Sequence, residues 1–137
     1  MLQMYNIFVI EDQLVIRTAY QKIIDREPDL TICGEAASGE EALDLLKVLE
    51  PDIILLDLSM PGLSGTVLIR MLRGLYPLLP ILVISGQDEH IYHGLTFKAG
   101  ANGYIDKLNV VPSLVETIRH LLLSYAYPHK THEGGKK

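Results

Sequence analysis

The chain lacks the features of secreted and membrane-bound proteins. It has a single cysteine, Cys33, so it cannot form an internal disulfide, and that thiol lies in an apolar segment where a small hydrophobic side chain would pack. No apolar run reaches the length of a membrane-spanning helix, and the amino terminus has neither the regions nor the cleavage site of a signal peptide. We therefore expect a cytoplasmic protein that makes no contact with a membrane.

The chain also lacks a surplus of basic residues. Its 17 acidic residues outnumber the 12 lysines and arginines, which gives a formal net charge of -5. A domain with this balance has no electrostatic footprint for nucleic acid, so direct binding of DNA or RNA by this chain is not expected. With 137 residues, of which 48% are hydrophobic, the chain is long enough to bury the core of one globular domain.

What the sequence does contain is a repeated alternation of strand-like and helix-like segments. Five short apolar runs alternate with segments whose apolar residues recur at helical spacing, which predicts an α/β fold with a doubly wound parallel sheet. The predicted strands are Tyr5–Ile10, Leu30–Ala36, Ile53–Asp57, Ile81–Ile84 and Gly103–Ile105. The predicted helices are Leu14–Asp25, a segment from Ser38 to before Pro51, Thr66–Leu75, Glu89–Ala99 and Pro112–Ser124. Residues 1–126 form the predicted domain, and the polar residues 127–137 a tail or linker stub.

Two of these helices carry predictions about which side faces the core. In the first helix the predicted apolar stripe consists of Leu14, Val15, Ala19, Ile23 and Ile24. In the fourth helix the residues predicted to face inward are Ile91, Leu95 and Ala99, followed by Gly100 as a left-handed cap. The low apolar content of the fourth helix predicts that it packs loosely.

Asp57 is the most informative residue of the chain. It closes the apolar run Ile53–Leu56 and is followed by a turn sequence that contains Pro61 and Gly62. A buried parallel strand ends at the carboxyl edge of its sheet, and doubly wound folds bind ligands beyond that edge. A carboxylate that merely caps the following turn is the simpler alternative.

Residues at other strand ends bear on this choice. Glu11 and Asp12 follow the first predicted strand, Ser85 ends the fourth, and Lys107 follows the fifth. In a sheet with the strand order 2-1-3-4-5 these ends share one edge, and the acids meet at the crevice between strands one and three. Clustered carboxylates raise one another's pKa, so a cation is needed there. Mg²⁺ suits a site with an incomplete set of protein ligands.

Several of these residues belong to motifs that one known family shares. They are Glu11-Asp12, the stretch Asp57-Leu58-Ser59-Met60-Pro61-Gly62, Ser85, and the segment Gly100-Ala101-Asn102-Gly103-Tyr104-Ile105-Asp106-Lys107. Over almost its whole length the chain resembles a receiver domain of a two-component response regulator, which implies a flavodoxin-like (βα)5 fold. The sequence from Leu55 to Gly65 is most similar to NarL/LuxR-type regulators, whose receivers usually precede a helix-turn-helix domain. No such domain follows here, so we expect either an excised receiver or a stand-alone regulator that acts through protein–protein contacts.

The resemblance implies a role for each residue at the strand ends. Asp57 would accept a phosphoryl group from a sensor histidine kinase or a phosphotransfer protein. Mg²⁺ would be bound by the carboxylates of Asp12 and Asp57, by the backbone carbonyl of Ser59, and by Glu11 through water. Lys107 and Ser85 would contact the phosphate. The chain would thus be a phosphoacceptor that assists its own phosphorylation and dephosphorylation, and not an enzyme.

The resemblance also implies how the signal leaves the site. When Ser85 moves toward the phosphate, Tyr104 would turn inward as the switch aromatic, and Gln87 and Ser59 would tune the lifetime of the phosphate. The output face would consist of helix four, strand five and helix five, through which the chain could form a homodimer or control transcription by way of a DNA-binding domain. Family members commonly have proline after the lysine, whereas this chain has Leu108, so a cis peptide bond there is in doubt. His90 and His93 share a helix face and are predicted to be surface residues.

Two other classes of function compete with this interpretation. One is a Mg²⁺-dependent phosphohydrolase with an aspartyl-phosphate intermediate, but such enzymes usually need a second acid where this chain has Ser59. The other is a receiver-like binding module that is never phosphorylated, and the intact acids, Ser85 and Lys107 argue against it.

Overall fold

A computed structural model of the chain describes residues 3–60, 62–63, 65–86 and 90–125, without the side chains of residues 90–92 and 125. The strands are β1 (Tyr5–Ile10), β2 (Leu30–Ala36), β3 (Ile53–Asp57), β4 (Ile81–Ser85) and β5 (Gly103–Asp106). The helices are α1 (Leu14–Asp25), α2 (Gly39–Leu45), α3 (Gly65–Leu75), α4 (His90–Ala99) and α5 (Val110–Tyr125), with a 3-10 turn at Lys107–Asn109. The predicted tail, residues 127–137, lies outside the described residues.

The five strands form one parallel sheet in the order β2-β1-β3-β4-β5. Strand β3 lies in the centre, where Leu56 pairs with Ile10 of β1 on one side and with Val83 of β4 on the other. The chain reverses direction along the sheet between β1 and β3, which is the switch point of a doubly wound fold. The predicted α/β class, flavodoxin-like architecture and strand order are confirmed.

The helices cover both faces of the sheet, so the strands are apolar on both sides. In β1, Ile7 and Val9 pack against the α1 and α5 layer, and Phe8 and Ile10 pack against the layer of α2, α3 and α4. All four side chains are fully buried. This explains why these strands read as continuous apolar runs without alternation.

The predicted stripe of α1 is wrong in its first half. Leu14 and Val15 are 67% and 73% exposed, and Ala19 is exposed as well. The helix instead buries Tyr20 and Ile24, with Ile16 and Ile23 packed beside them. Tyr20 completes a helical spacing with Ile16 and Ile24, and an amphipathic tyrosine was not counted among the apolar positions.

The inward face of α4 also differs from the prediction. Ala99 is buried as expected, but Leu95 is 45% exposed and Thr96 is fully buried in its place. The Thr96 hydroxyl donates to the backbone carbonyl of His93 at 3.0 Å, which satisfies a polar group that would otherwise be costly to bury. The side chain of Ile91 lies outside the described residues. Gly100 follows with a positive φ of 128°, as its predicted capping role requires.

Several helix boundaries differ by a few residues. Ser38, where the helix was expected to start, caps α2, since its hydroxyl accepts from the Glu41 amide at 3.1 Å. The regular helix ends at Leu45, well before Pro51. Helix α5 begins at Val110, two residues before Pro112, because a proline in the first turn needs no hydrogen-bond partner for its nitrogen. Within the described part of the chain, no helix combines the length and apolar character needed to cross a membrane.

Candidate functional site

The sheet brings three carboxylates together at its carboxyl edge. Asp57 is the last residue of β3, and Glu11 and Asp12 follow the adjacent β1. One carboxylate oxygen from each of the three lies within 4.8 Å of the others. Glu11 is fully buried and Asp57 is 3% exposed, so both acids lie in surroundings with little water. The predicted acidic crevice between strands one and three is therefore present.

Lys107 supplies the positive charge at this crevice. It directly follows β5, and its Nζ lies 3.3 Å from Asp57 Oδ1 and 3.7 Å from Glu11 Oε1. The second distance is too long for a hydrogen bond, and Glu11 Oε1 is a buried atom without a hydrogen-bond partner among the described residues. One lysine thus faces more negative charge than it can neutralise, which leaves a buried oxygen that a further cation could satisfy.

The electrostatic cost of the cluster is concentrated on Glu11. Burial, and to a smaller extent the charge of Asp57, raise the pKa of Glu11 to about 7, although the Gln13 amide donates to Glu11 Oε2 at 3.1 Å. Burial also raises the pKa of Tyr20, and the charges of Glu11 and Asp57 raise it further. The site is therefore a pocket of negative potential in low-dielectric surroundings, which is the setting in which a divalent cation binds favourably.

Asp57 is oriented by the turn that follows it. The amide and the hydroxyl of Ser59 donate to Asp57 Oδ1 at 3.1 Å and 2.9 Å, and Lys107 approaches the same oxygen. Asp57 therefore does cap its turn, as the simpler alternative requires. These contacts all involve Oδ1, so the capping role occupies only one of the two carboxylate oxygens.

An arginine holds the loop that carries Glu11. Arg17 of α1 donates from Nη1 to the backbone carbonyl of Glu11 at 2.7 Å, and its Nε pairs with Glu35 of β2 at 3.2 Å. No pattern in the sequence marks Arg17 for this contact, because the contact depends on how α1 lies against β2. The buried acid is thus fixed from both its backbone and its side chain.

Ser85 and Tyr104 lie on the strands next to Asp57. Ser85 ends β4, is fully buried, and follows Ile84, the residue that pairs with Asp57. A Cβ at the following residue, Gly86, would meet no atom of the described residues within 4 Å. Tyr104 of β5 pairs with Val83 and packs, half-buried, against the core of the α2, α3 and α4 layer.

His93 differs from the prediction that it is a surface residue. It is half-buried, and its ring stacks on Tyr104 with 3.8 Å between ring centroids and 33° between ring planes. The shared helix face of His90 and His93 was visible in the sequence, but the strand residue that faces it was not. The side chain of His90 lies outside the described residues, as does the whole of Gln87.

The segment that begins at Lys107 forms a 3-10 turn. Leu108 is 90% exposed, its peptide bond to Lys107 is trans, and its amide donates to Asp106 Oδ1 at 3.0 Å. This hydrogen bond starts the 3-10 turn and holds Lys107 at the end of β5.

Fold and site together define a receiver domain. Residues 7–119 match the family of response regulator receiver domains, so the chain belongs to that family. It is 38% identical over 104 residues to the nitrate/nitrite response regulator protein NarL of Escherichia coli strain K12, covering 74% of this chain and 47% of that protein. It is 32% identical over 124 residues to the transcriptional regulatory protein DegU of Brevibacillus brevis, covering 90% of this chain and 52% of that protein.

The same type of regulator is found among solved structures. A LuxR-family two-component response regulator from Aurantimonas sp. SI85-9A1 superposes with a TM-score of 0.85 at 29% identity, covering 90% of this chain and 88% of that one. The receiver is therefore of the NarL/LuxR type. The chain spans about half the length of the curated relatives named above. Receiver domains bind Mg²⁺ at an acidic pocket, and the Glu11, Asp12 and Asp57 cluster has the composition of one.

Proposed function

We propose that Asp57 accepts a phosphoryl group from a phosphohistidine of a sensor kinase or phosphotransfer protein, and that the modification controls an output through α4, β5 and α5. The observation that carries the proposal is the approach of Lys107 to Asp57 at the edge where three carboxylates meet. A turn cap alone explains the Ser59 contacts. It does not explain a partly buried lysine partner and two further acids.

The transfer step needs little beyond positioning. A carboxylate oxygen of Asp57 forms a bond to phosphorus as the bond from phosphorus to the donor nitrogen breaks, and the electron pair stays with the leaving imidazole. Lys107 then exchanges its contact with the carboxylate for one with a phosphoryl oxygen. The Ser85 hydroxyl donates to another of these oxygens, and both contacts are charge-assisted.

The acidic cluster fits a magnesium ion. The buried Glu11 Oε1 has no hydrogen-bond partner among the described residues, and oxygen ligands are what Mg²⁺ prefers. Asp12 and Asp57 would hold the ion directly, with the Ser59 carbonyl as a further ligand and Glu11 bound through water. When bound, the ion neutralises charge on the carboxylates and on the incoming phosphoryl oxygens.

Phosphorylation would act as a switch because it changes the charge at a buried position. A phosphoryl group adds nearly two negative charges, and shifting a two-state equilibrium from mostly off to mostly on takes about 5.5 kcal/mol of differential interaction. Ser85 and Tyr104 would carry the change to α4 and β5. The surface of α4, β5 and α5 would then bind a second copy of the chain or another protein, and would regulate transcription where a DNA-binding domain is attached.

Phosphorylation with a small-molecule donor tests the proposal. The protein is incubated with acetyl phosphate and Mg²⁺, and its intact mass is measured. We expect one phosphoryl adduct in the wild type and in Asp44→Asn, an exposed control aspartate, and none in Asp57→Asn or after chelation of the metal. Lys107→Ala should form the adduct more slowly.

Four results would contradict the proposal. They are an adduct that persists in Asp57→Asn, an adduct that forms equally fast without a divalent ion, steady turnover of unrelated phosphoesters, and the complete absence of an adduct. The third would indicate the phosphohydrolase, and the fourth a binding module that is never phosphorylated.

A further inference from the structure

The stack of His93 on Tyr104 joins the two elements that the proposed switch must move. His93 belongs to α4 and Tyr104 to β5, and their ring centroids are 3.8 Å apart. Both rings border a cleft of about 400 Å³ that continues along Asp106 and Asn109. The stack therefore lies at the border between packed protein and open space, where a ring can be displaced without rebuilding the core.

The opposite end of α4 is held firmly in place. Arg73 of α3 donates to the carbonyl of Gly100 at 2.7 Å and 3.1 Å and to Asn102 Oδ1 at 2.6 Å. The amides of Gly100 and Ala101 both donate to the carbonyl of Thr96, at 3.1 Å and 2.9 Å. The carboxyl-terminal end of α4 is thus tied to α3 and to the turn before β5, and motion of the helix must occur nearer to His93.

The middle of α4 offers little resistance to such motion. Leu95 and Phe97 are 45% and 47% exposed, and Gly94 carries no side chain that could pack. An aromatic contact between two such rings shifts an equilibrium by roughly two- to tenfold. A contact of that size is large enough to influence where the ring of Tyr104 rests.

We propose that His93 is a positioning residue of the switch. Its ring holds Tyr104 in the orientation that accompanies a free Asp57 carboxylate, and it thereby disfavours the phosphorylated arrangement. The inference rests on the proposed function of Asp57 and Tyr104. Its physical basis is that the structure pairs Asp57 with Lys107 and Tyr104 with His93 at the same time, so an inward turn of Tyr104 breaks the stack.

Thermodynamic linkage makes the effect of the stack measurable as a change in the affinity for a ligand of Asp57. If the stack favours the free state, its removal must favour every ligand that prefers the phosphorylated state, by the same factor. Beryllofluoride, bound together with Mg²⁺, mimics the phosphoryl group. Its adduct with Asp57 forms without transfer of a phosphoryl group from a donor. The fraction of protein that carries the adduct can be followed by fluorine NMR across a titration.

We expect His93→Ala to lower the midpoint of the beryllofluoride titration by roughly three- to tenfold. His93→Phe keeps an aromatic ring and should stay within about twofold of the wild type. In a Tyr104→Ala background the further change His93→Ala should have no effect, because the stack is already absent. Thermal unfolding of each variant establishes that it is folded at the temperature of the titration.

Two results would overturn the inference about His93 and leave the proposed function of Asp57 intact. One is an unchanged or higher midpoint for His93→Ala in a wild-type protein that binds beryllofluoride. The other is an equal effect of His93→Ala with and without Tyr104. If the wild type forms no Mg²⁺-dependent adduct, the proposed function itself fails. If His93→Ala does not fold, an unchanged midpoint for His93→Leu, which removes the aromatic ring but keeps the bulk, overturns the inference in the same way.

Discussion

Helices α4 and α5 lie on opposite faces of the sheet beside β5, and they are held in very different ways. Helix α5 buries Leu114, Ile118, Leu121 and Leu122 in a continuous stripe. Among the described side chains of α4, only Thr96 and Ala99 are buried. Because burial of apolar surface is the main stabilising term, α5 is part of the rigid scaffold, whereas α4 can shift at small cost.

The difference matters for a switch. The edge that carries Asp57 must stay in register, which requires a firm layer on at least one face of the sheet. The element that reports the modification must have two arrangements of similar free energy, which requires loose packing on the other. The contrast between α4 and α5 satisfies both requirements, and it can be tested by substitutions in each helix and in the residues they hold.

The largest effect should come from truncation of the α5 stripe. Leu114→Ala removes a fully buried side chain and should lower the free energy of unfolding by about 2–5 kcal/mol. The matched change Leu95→Ala in α4 should cost less than about 1 kcal/mol, because Leu95 is 45% exposed. Urea unfolding of both variants measures the difference. Equal losses of unfolding free energy in the two variants would show that α4 is packed as firmly as α5.

The next largest effect concerns the buried Glu11 at the carboxyl edge of the sheet. Because burial raises the pKa of Glu11 from 4.5 to about 7, the folded chain binds more protons than the unfolded chain between these values. The free energy of unfolding should therefore fall as the pH rises through this window, by up to about 3 kcal/mol in metal-free buffer. Glu11→Gln removes the ionisation.

Urea titrations at several pH values compare the variant with the wild type. The free energy of unfolding of Glu11→Gln should fall less than that of the wild type between about pH 5 and pH 8. Mg²⁺ should narrow the gap by stabilising the ionised wild type. If the free energy of unfolding depended on pH in the same way in both proteins, Glu11 would not be the group whose ionisation destabilises the fold.

A smaller effect is expected where α5 is tied to the loop before β2. Arg119 donates to both carboxylate oxygens of Asp29 at 2.7 Å and 2.9 Å and to Glu27 at 2.8 Å. Arg119→Ala should cost about 0.5–1 kcal/mol, since the groups are partly exposed, and Lys47→Ala, which removes an exposed ion pair, should cost almost nothing.

The pH dependence of this contribution has a definite sign. The hydrogen bonds from Arg119 lower the pKa of Asp29 below its ordinary 3.8. The contribution of Arg119 is therefore present above pH 4 or so and is lost as the pH falls through the lowered value. Unfolding curves of the wild type and Arg119→Ala should converge in strong acid, and a constant difference would argue against the ion pair as its source.

The smallest expected effect on stability tests the looseness of α4 itself. Gly94 is exposed within the helix, and a Cβ there would meet no atom of the described residues within 4 Å. Gly94→Ala should raise the free energy of unfolding by about 0.5–1 kcal/mol and slow phosphorylation by acetyl phosphate. Gly74 of α3 has similar surroundings. Gly74→Ala should therefore also raise the free energy of unfolding, but it should not slow phosphorylation. Equal phosphorylation rates would show that stiffness of α4 does not control the switch.

The sequence predicted those features that follow from local pattern and from the geometry of a parallel sheet. Short strand-like runs located all five strands, and the rule that parallel strand ends share an edge predicted that Glu11, Asp12 and Asp57 would meet. These inferences needed no knowledge of how side chains pack. The proposed roles of the residues still await the experiments above.

What the sequence did not predict depends on tertiary packing. The rotation of α1 and α4 about their axes decides that Tyr20 and Thr96 are buried while Leu14 and Leu95 are exposed. The sequence places apolar residues on more than one side of both helices, so it leaves that rotation open. The contact of His93 with Tyr104 arises only when α4 and β5 pack together, so no spacing in the sequence predicts it.

Amide hydrogen exchange with and without phosphorylation tests most directly whether the modification at Asp57 reaches α4 and leaves α5 in place. The account predicts that acetyl phosphate with Mg²⁺ changes the exchange rates of amides in α4 and β5. It predicts unchanged rates for the core-facing residues of α5, and no change anywhere in Asp57→Asn. Equal changes in α4 and α5, or a change that persists in Asp57→Asn, would contradict it.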